Sequence, residues 1–173
     1  MALKDVPAIP TVYRGIRMHS RLVAEVAEWI DAVGWEEWDY EPESYLLNGK
    51  HYWPDFYVKD ADLFIEAKGR KEYLEQQHDC YVALCRETHK RVLVLCPKYV
   101  RLYQWHDVAE DVCYGNSFAF LVCPKCGLPN VFMTHSFFWN CNAGCDYDWQ
   151  NGSYDNFYDA RNRARAEAGG DDG

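Results

Sequence analysis

No stretch of this sequence approaches the roughly 20 consecutive apolar residues of a membrane-spanning helix, and its longest apolar runs, at 92–95 and 118–122, are short. The start, Met-Ala-Leu-Lys-Asp, has no apolar core behind a basic opening, so no export signal is expected and the cytoplasm is the expected setting. No segment repeats. A basic excess is missing too. The formal charge is −9; residues 1–115 hold 14 basic and 20 acidic side chains, and the remainder 4 and 7. This argues against binding of nucleic acid by bulk attraction, because such binders show a basic footprint. An enzyme that handles an anion through a metal ion is not excluded. Its carboxylates add negative charge where the substrate binds, and the cation reverses the local sign.

What the chain does have is apolar and aromatic residues. These make up almost half of its 173 positions, enough for one main core and a small appendage. Seven tryptophans and thirteen tyrosines are unusual, and core packing accounts for most of them. Of the eight cysteines, Cys80, Cys85, Cys96 and Cys113 are scattered among apolar residues, as buried thiols would be. Cys123, Cys126, Cys141 and Cys145 form two pairs.

Periodicity predicts an extended arm over residues 1–12, then a helix over 20–33. Ser20 is its cap, Val23, Val26, Ala27, Ile30 and Val33 follow helical spacing, and Gly34 ends it. Residues 35–41 read as a strand. Residues 44–58 read as a hairpin turning at Asn48-Gly49, a dipeptide suited to two-residue turns. Strands at 62–67 and 91–96 flank a helix at 71–88. An edge strand at 99–105 and a short helix at 106–113 are expected to follow. Composition shifts near residue 116 to cysteine, aromatic and turn residues, which places a boundary there, between a unit of 1–115 and one of 116–173. A last helix is expected at 154–168, and it carries Arg161, Arg163 and Arg165.

At the end of strand 62–67, alternation puts Glu66 and Lys68 on one face and Ile65 and Ala67 on the other. If 51–58 is a neighbouring strand, Asp55 and Glu66 converge on one cation. Mg²⁺ suits that arrangement, taking one or two carboxylates with water and phosphate oxygens. Lys68 is then placed to orient or deprotonate a water. A salt bridge on a half-exposed strand is the plainer explanation for Glu-x-Lys taken alone.

The joint pattern resembles the PD-(D/E)xK nuclease superfamily, in particular phage and actinobacterial members. The similar segments are Tyr13-Arg14-Gly15-Ile16-Arg17-Met18-His19-Ser20, Tyr40-Glu41-Pro42-Glu43, Tyr52-Trp53-Pro54-Asp55-Phe56 and Glu66-Ala67-Lys68-Gly69. The resemblance implies an α/β fold like that of restriction endonucleases, an αβββαβ core with a mixed sheet flanked by helices. It also implies DNA as substrate, and Mg²⁺ or Mn²⁺ held by Asp55, Glu66 and the Ala67 carbonyl, with Lys68 serving the attacking water. A phage or its bacterial host is the implied source, and a homodimer or a phage or host protein partner is compatible with it. The family's helix-1 glutamate falls at Val23. Glu25, the nearest acid, is turned about 200° from that direction on a helix. Gln77-x-x-x-Tyr81 resembles the Q-x-x-x-Y pair of RecB-like nucleases, which lies beside the metal; an amphipathic helix also produces such pairs. Val23 and the acidic charge suit the alternative, a non-catalytic nucleic-acid- or host-protein-binding module that keeps the fold.

Cys123-Pro-Lys-Cys126-Gly is a metal-knuckle sequence, and Cys141-x-x-x-Cys145 supplies a second pair. Four thiolates suit one structural Zn²⁺, with every position filled by protein. Two disulfides or a redox pair would use the same residues, and a cytosolic setting favours zinc. The segment resembles the zinc-ribbon extension of some phage members.

Overall fold

The computed structural model describes residues 8–97, 99–107, 109–116, 118–123 and 126–133. The helix expected at 154–168, with Arg161, Arg163 and Arg165, and the cysteines Cys141 and Cys145 lie outside the described residues.

Two short strands, β1 (Thr11–Tyr13) and β2 (Ile16–Met18), form a hairpin that begins at the end of the expected arm and was not itself expected. Its turn, Arg14-Gly15, has positive φ at both positions (48° and 77°), the conformation of a tight two-residue hairpin turn. Helix α1 (Arg21–Val33) follows as expected. Ser20 accepts the Val23 N–H, and Gly34 closes the helix at φ 94°. Val23, Ala24, Val26, Ala27, Trp29 and Ile30 form its buried face.

Next come β3 (Trp38–Tyr40), β4 (Tyr45–Leu47), β5 (Lys50–Tyr52), β6 (Phe56–Val58) and β7 (Leu63–Ala67). The hairpin expected over 44–58 therefore splits. β4 and β5 pair only with each other around Asn48-Gly49, while β6 pairs with β3 and β7. Pro54 separates the two parts; it has no N–H to donate to a continuous ladder.

The helix expected at 71–88 breaks at Gln77 into α2 (Lys71–Gln76) and α3 (His78–Thr88). The break keeps Leu74 and Tyr81 buried together, and His78 Nδ1 lies 3.0 Å from the Tyr103 hydroxyl. β8 (Arg91–Cys96) then lies parallel to β7. β9 (Tyr99–His106) is an interior strand, not an edge. The edge is β10 (Asp111–Gly115), where a helix had been expected. Val112 and Tyr114 stand opposite Trp105 and Tyr103, and such β-branched and aromatic pairs favour the ladder over a helix.

The result is a six-stranded mixed sheet, ordered β10-β9-β8-β7-β6-β3. One face packs on α1 through Phe56, Val58, Leu63, Ile65, Leu93 and Leu102. The other packs on α2 and α3 through Phe64, Val92, Val94, Tyr103, Leu74, Tyr81 and Leu84. β7 is buried on both faces, so its apolar run is continuous and Glu66 is its one charged residue.

A last hairpin, β11 (Phe118–Val122) with β12 (Pro129–Met133), follows the boundary expected near 116. It docks on the main body. Trp35 Nε1 donates to the Pro129 carbonyl at 2.8 Å, the buried Arg91 guanidinium donates to the Val131 and Ala61 carbonyls, and Val131 joins the α1 core. No described helix is long and apolar enough to cross a membrane.

Candidate functional site

β6 and β7 are antiparallel with Phe56 opposite Ile65, and one more step of that register sets Asp55 opposite Glu66. Opposed residues share a face, so the two carboxylates are neighbours on the side of α2 and α3. Both are sequestered, Asp55 at 6% exposure and Glu66 at 1%. Each is held by backbone. The Asp55 N–H donates to Glu66 Oε1 at 3.2 Å, and the Ala67 N–H donates to Asp55 Oδ2 at 2.8 Å. Lys68, one step beyond β7, places Nζ 2.7 Å from Glu66 Oε2 and 3.9 Å from Asp55 Oδ2. Its N–H donates to the Leu95 carbonyl at 2.8 Å, which carries the β7–β8 pairing to the end of the site. Asp55, Glu66, Ala67 and Lys68 thus come together as expected.

Burial dominates the electrostatics. It pushes the Asp55 carboxyl up, against the pull of Lys68 and the Ala67 N–H. It pushes Glu66 to about 7, helped by the negative charge of Asp55. Burial pulls the Lys68 ammonium down, but Glu66 and Asp55 outweigh it and the net shift is upward. A lysine so placed keeps its proton, which suits orienting a water or opposing charge better than taking a proton. With both acids ionised, two carboxylates share one ammonium in a largely dry pocket.

A hard divalent cation fits this donor set. Tyr52 adds a further unsatisfied group, since its hydroxyl is enclosed beside Glu66 and makes no hydrogen bond of normal geometry with a described residue. Among the described residues no group of three or more His, Cys, Asp and Glu side chains is arranged to hold a metal ion. Two carboxylates with backbone and water oxygens is therefore the set on offer.

Gln77 and Tyr81 turn inward. Tyr81 is fully buried, its ring 6.4 Å from that of Tyr52, and its hydroxyl donates to Gln77 Oε1 at 3.0 Å. Tyr81 packs against Tyr52 and offers nothing to solvent. Glu25 is not brought to the site, because it lies on the exposed face of α1 and pairs with Arg21 at 3.2 Å. Val23, at 1% exposure, packs in the apolar layer between α1 and the sheet.

Several basic residues that could meet phosphate are engaged within the fold. Arg14 pairs with Asp31 at 3.1 Å, Lys90 with Asp62, and Lys71 lies over the Tyr99 ring. Arg91 is buried, and His89 stacks on Trp105 with ring centroids 4.4 Å apart.

Three residues at the site carried no role in the sequence. His19 Nε2 lies 3.8 Å from Asp55 Oδ1, and its Nδ1 lies 3.7 Å from Glu41 Oε1 and 2.8 Å from the Tyr40 hydroxyl. All three stand in the segments that carry the resemblance, but 21 residues separate His19 from Tyr40, and no periodicity links them.

At the far hairpin, Cys123 starts a tight knuckle. Its N–H donates to the Leu128 carbonyl at 2.9 Å, the Gly127 N–H donates back to the Cys123 carbonyl at 2.7 Å, and Gly127 takes φ 75°. Cys123 is buried and Cys126 exposed. This is half of the expected ligand set. No family model matches the chain, and no curated protein or solved structure matches it.

Proposed function

We propose that this chain is a Mg²⁺- or Mn²⁺-dependent nuclease of the restriction-endonuclease-like fold that hydrolyses DNA phosphodiester bonds at Asp55, Glu66 and Lys68. The supporting observation is the cross-braced pair of buried carboxylates that shares a single ammonium. Holding both acids ionised in so dry a pocket is unfavourable without a further cation. Asp55, Glu66 and the Ala67 carbonyl are the groups that would hold it. When bound, such an ion acts as a Lewis acid on the phosphate and lowers the pKa of water. Lys68, tethered to Glu66, orients the attacking water and opposes the negative charge growing on the phosphate. Gln77 and Tyr81 act behind the site by keeping Glu66 in place.

Cys123 and Cys126, together with Cys141 and Cys145, are assigned to one structural Zn²⁺. The knuckle at Cys123 supports this, because its reciprocal backbone bonds shape a loop that carries two thiols. The cytoplasm of a bacterium or of a phage-infected cell is the setting that fits such a protein.

One observation favours a different class, a binding module that keeps the fold: buried Val23 brings no acid from α1. Cleavage assays with Mg²⁺ and with Mn²⁺ on linear, single-stranded and branched DNA decide between the two. Metal-dependent cutting that disappears in Asp55→Ala is the expected result. Cutting at the wild-type rate by Asp55→Ala removes this site from consideration. Tight DNA binding without cutting in either metal establishes the binding module.

A further inference from the structure

We propose that His19 is a substrate-contacting residue that donates its Nε2–H to a non-bridging oxygen of the scissile phosphate, and that Tyr40 is the positioning residue that holds it. The proposal rests on the nuclease reading of the Asp55/Glu66/Lys68 site.

Among the described residues, only two basic side chains bring a nitrogen within 4 Å of the carboxylate pair, Lys68 and His19. Lys68 is already committed to Glu66 at 2.7 Å. His19 Nε2 is not so committed: it stands 3.8 Å from Asp55 Oδ1, beyond hydrogen-bond range, and half of the side chain is exposed. It is a nitrogen on a half-exposed side chain beside the carboxylate pair.

The ring is held on its other edge. The Tyr40 hydroxyl accepts the backbone N–H of His19 at 3.1 Å and lies 2.8 Å from Nδ1. Tyr40 ends β3, whose partner β6 begins one residue after Asp55, so one strand pair places both the tyrosine and the aspartate. Ser20 caps α1 directly behind His19 and ties the segment from that side.

The Asp55 carboxylate favours a proton on Nε2. A lone pair on Nε2 would face the Asp55 carboxylate and be repelled, whereas an N–H is attracted. On the other edge the Tyr40 hydroxyl oxygen takes the His19 backbone N–H and lies 2.8 Å from Nδ1, with Glu41 Oε1 3.7 Å from the same nitrogen. A phosphate seated over Asp55 meets two carboxylates, and an N–H beside Asp55 offsets part of that repulsion on the side that Lys68 does not cover.

The test uses His19→Ala, His19→Gln and Tyr40→Phe in the full-length protein, with single-turnover cleavage in Mn²⁺. His19→Ala should slow the chemical step about 100-fold, as loss of a single oxyanion donor does. His19→Gln keeps an N–H donor of similar reach and should recover much of that loss. Tyr40→Phe should cost about 10-fold, as loss of an orienting partner does. The discriminating readout is sulfur substitution at each non-bridging oxygen of the scissile phosphate. Mn²⁺ tolerates sulfur better than Mg²⁺, so discrimination that persists in Mn²⁺ reports the hydrogen bond. The wild type should distinguish the two stereoisomers, and His19→Ala should not. If the wild type cuts DNA and His19→Ala cuts equally fast with the same stereoisomer preference, the His19 proposal fails alone. If the wild type cuts no DNA in either metal, the nuclease reading fails and this proposal falls with it.

Discussion

The Asp55 N–H donates to Glu66 Oε1 while the Ala67 N–H donates to Asp55 Oδ2, so each acid is held by the strand that carries the other. Neither carboxylate can swing away without breaking a buried bond on the opposing strand. The spacing of the pair is therefore a property of the β6–β7 register and does not depend on side-chain freedom.

The pH dependence of stability in the metal-free protein follows from that enclosure. Glu66 is raised to about 7, so between the ordinary carboxylate range and about 7 the folded state binds more protons than the unfolded chain. Stability should fall as pH rises through that window, and Asp55, also raised, acts in the same direction. Urea unfolding in chelator at pH 5 and pH 8 measures the effect. Glu66→Gln should flatten the profile, and a wild-type profile that rises toward pH 8 would contradict the assignment.

Helix α1 gives a second expectation. Glu25 faces solvent beside Arg21, so Glu25→Ala should change the cleavage rate by less than about tenfold, or about 1.4 kcal/mol. Val23→Glu buries a carboxylate in the apolar layer under α1 and should lower the melting temperature markedly in chelator. Metal-dependent recovery of that loss, read by thermal unfolding with and without Mn²⁺, would show the new acid reaching the cation.

Truncation after residue 116 should destabilise the main body. It removes the Pro129 carbonyl from Trp35, the Val131 carbonyl from buried Arg91, and the Val131 side chain from the core. Losing a buried acceptor costs about 1–3 kcal/mol in each case. The full-length protein should carry about one zinc per chain, as four thiolates bind one ion. Elemental analysis and chemical denaturation of both lengths check this. A truncated chain as stable as the full one would show the hairpin to be an independent appendage.

Tyr52 allows a cleaner measurement. Its enclosed hydroxyl has no hydrogen bond of normal geometry, so Tyr52→Phe should leave the metal-free protein as stable as the wild type or more so. A loss of about 1 kcal/mol would instead mean that the hydroxyl is bonded to Glu66 in solution.

The sequence by itself determined the features that depend on near neighbours. Alternation set Glu66 and Lys68 on one face of β7. Ser20 and Gly34 bounded α1, and Asn48-Gly49, with φ of 50° and 76°, made the β4–β5 turn. Each of these follows from the geometry of a few consecutive residues. Tertiary structure decided what depends on distant partners. Residues 111–115 are a strand because β9 offers a ladder, and the helix over 71–88 bends where His78 meets Tyr103. The boundary expected near 116 is bridged by Trp35 reaching Pro129 across 94 residues. His19 joins the site only because β3, paired with β6, holds Tyr40 beside Asp55. Pairing energy between distant segments is realised only once the sheet has closed. Until then the local pattern of 106–113 or of His19 is compatible with several outcomes, and the chain alone does not choose among them.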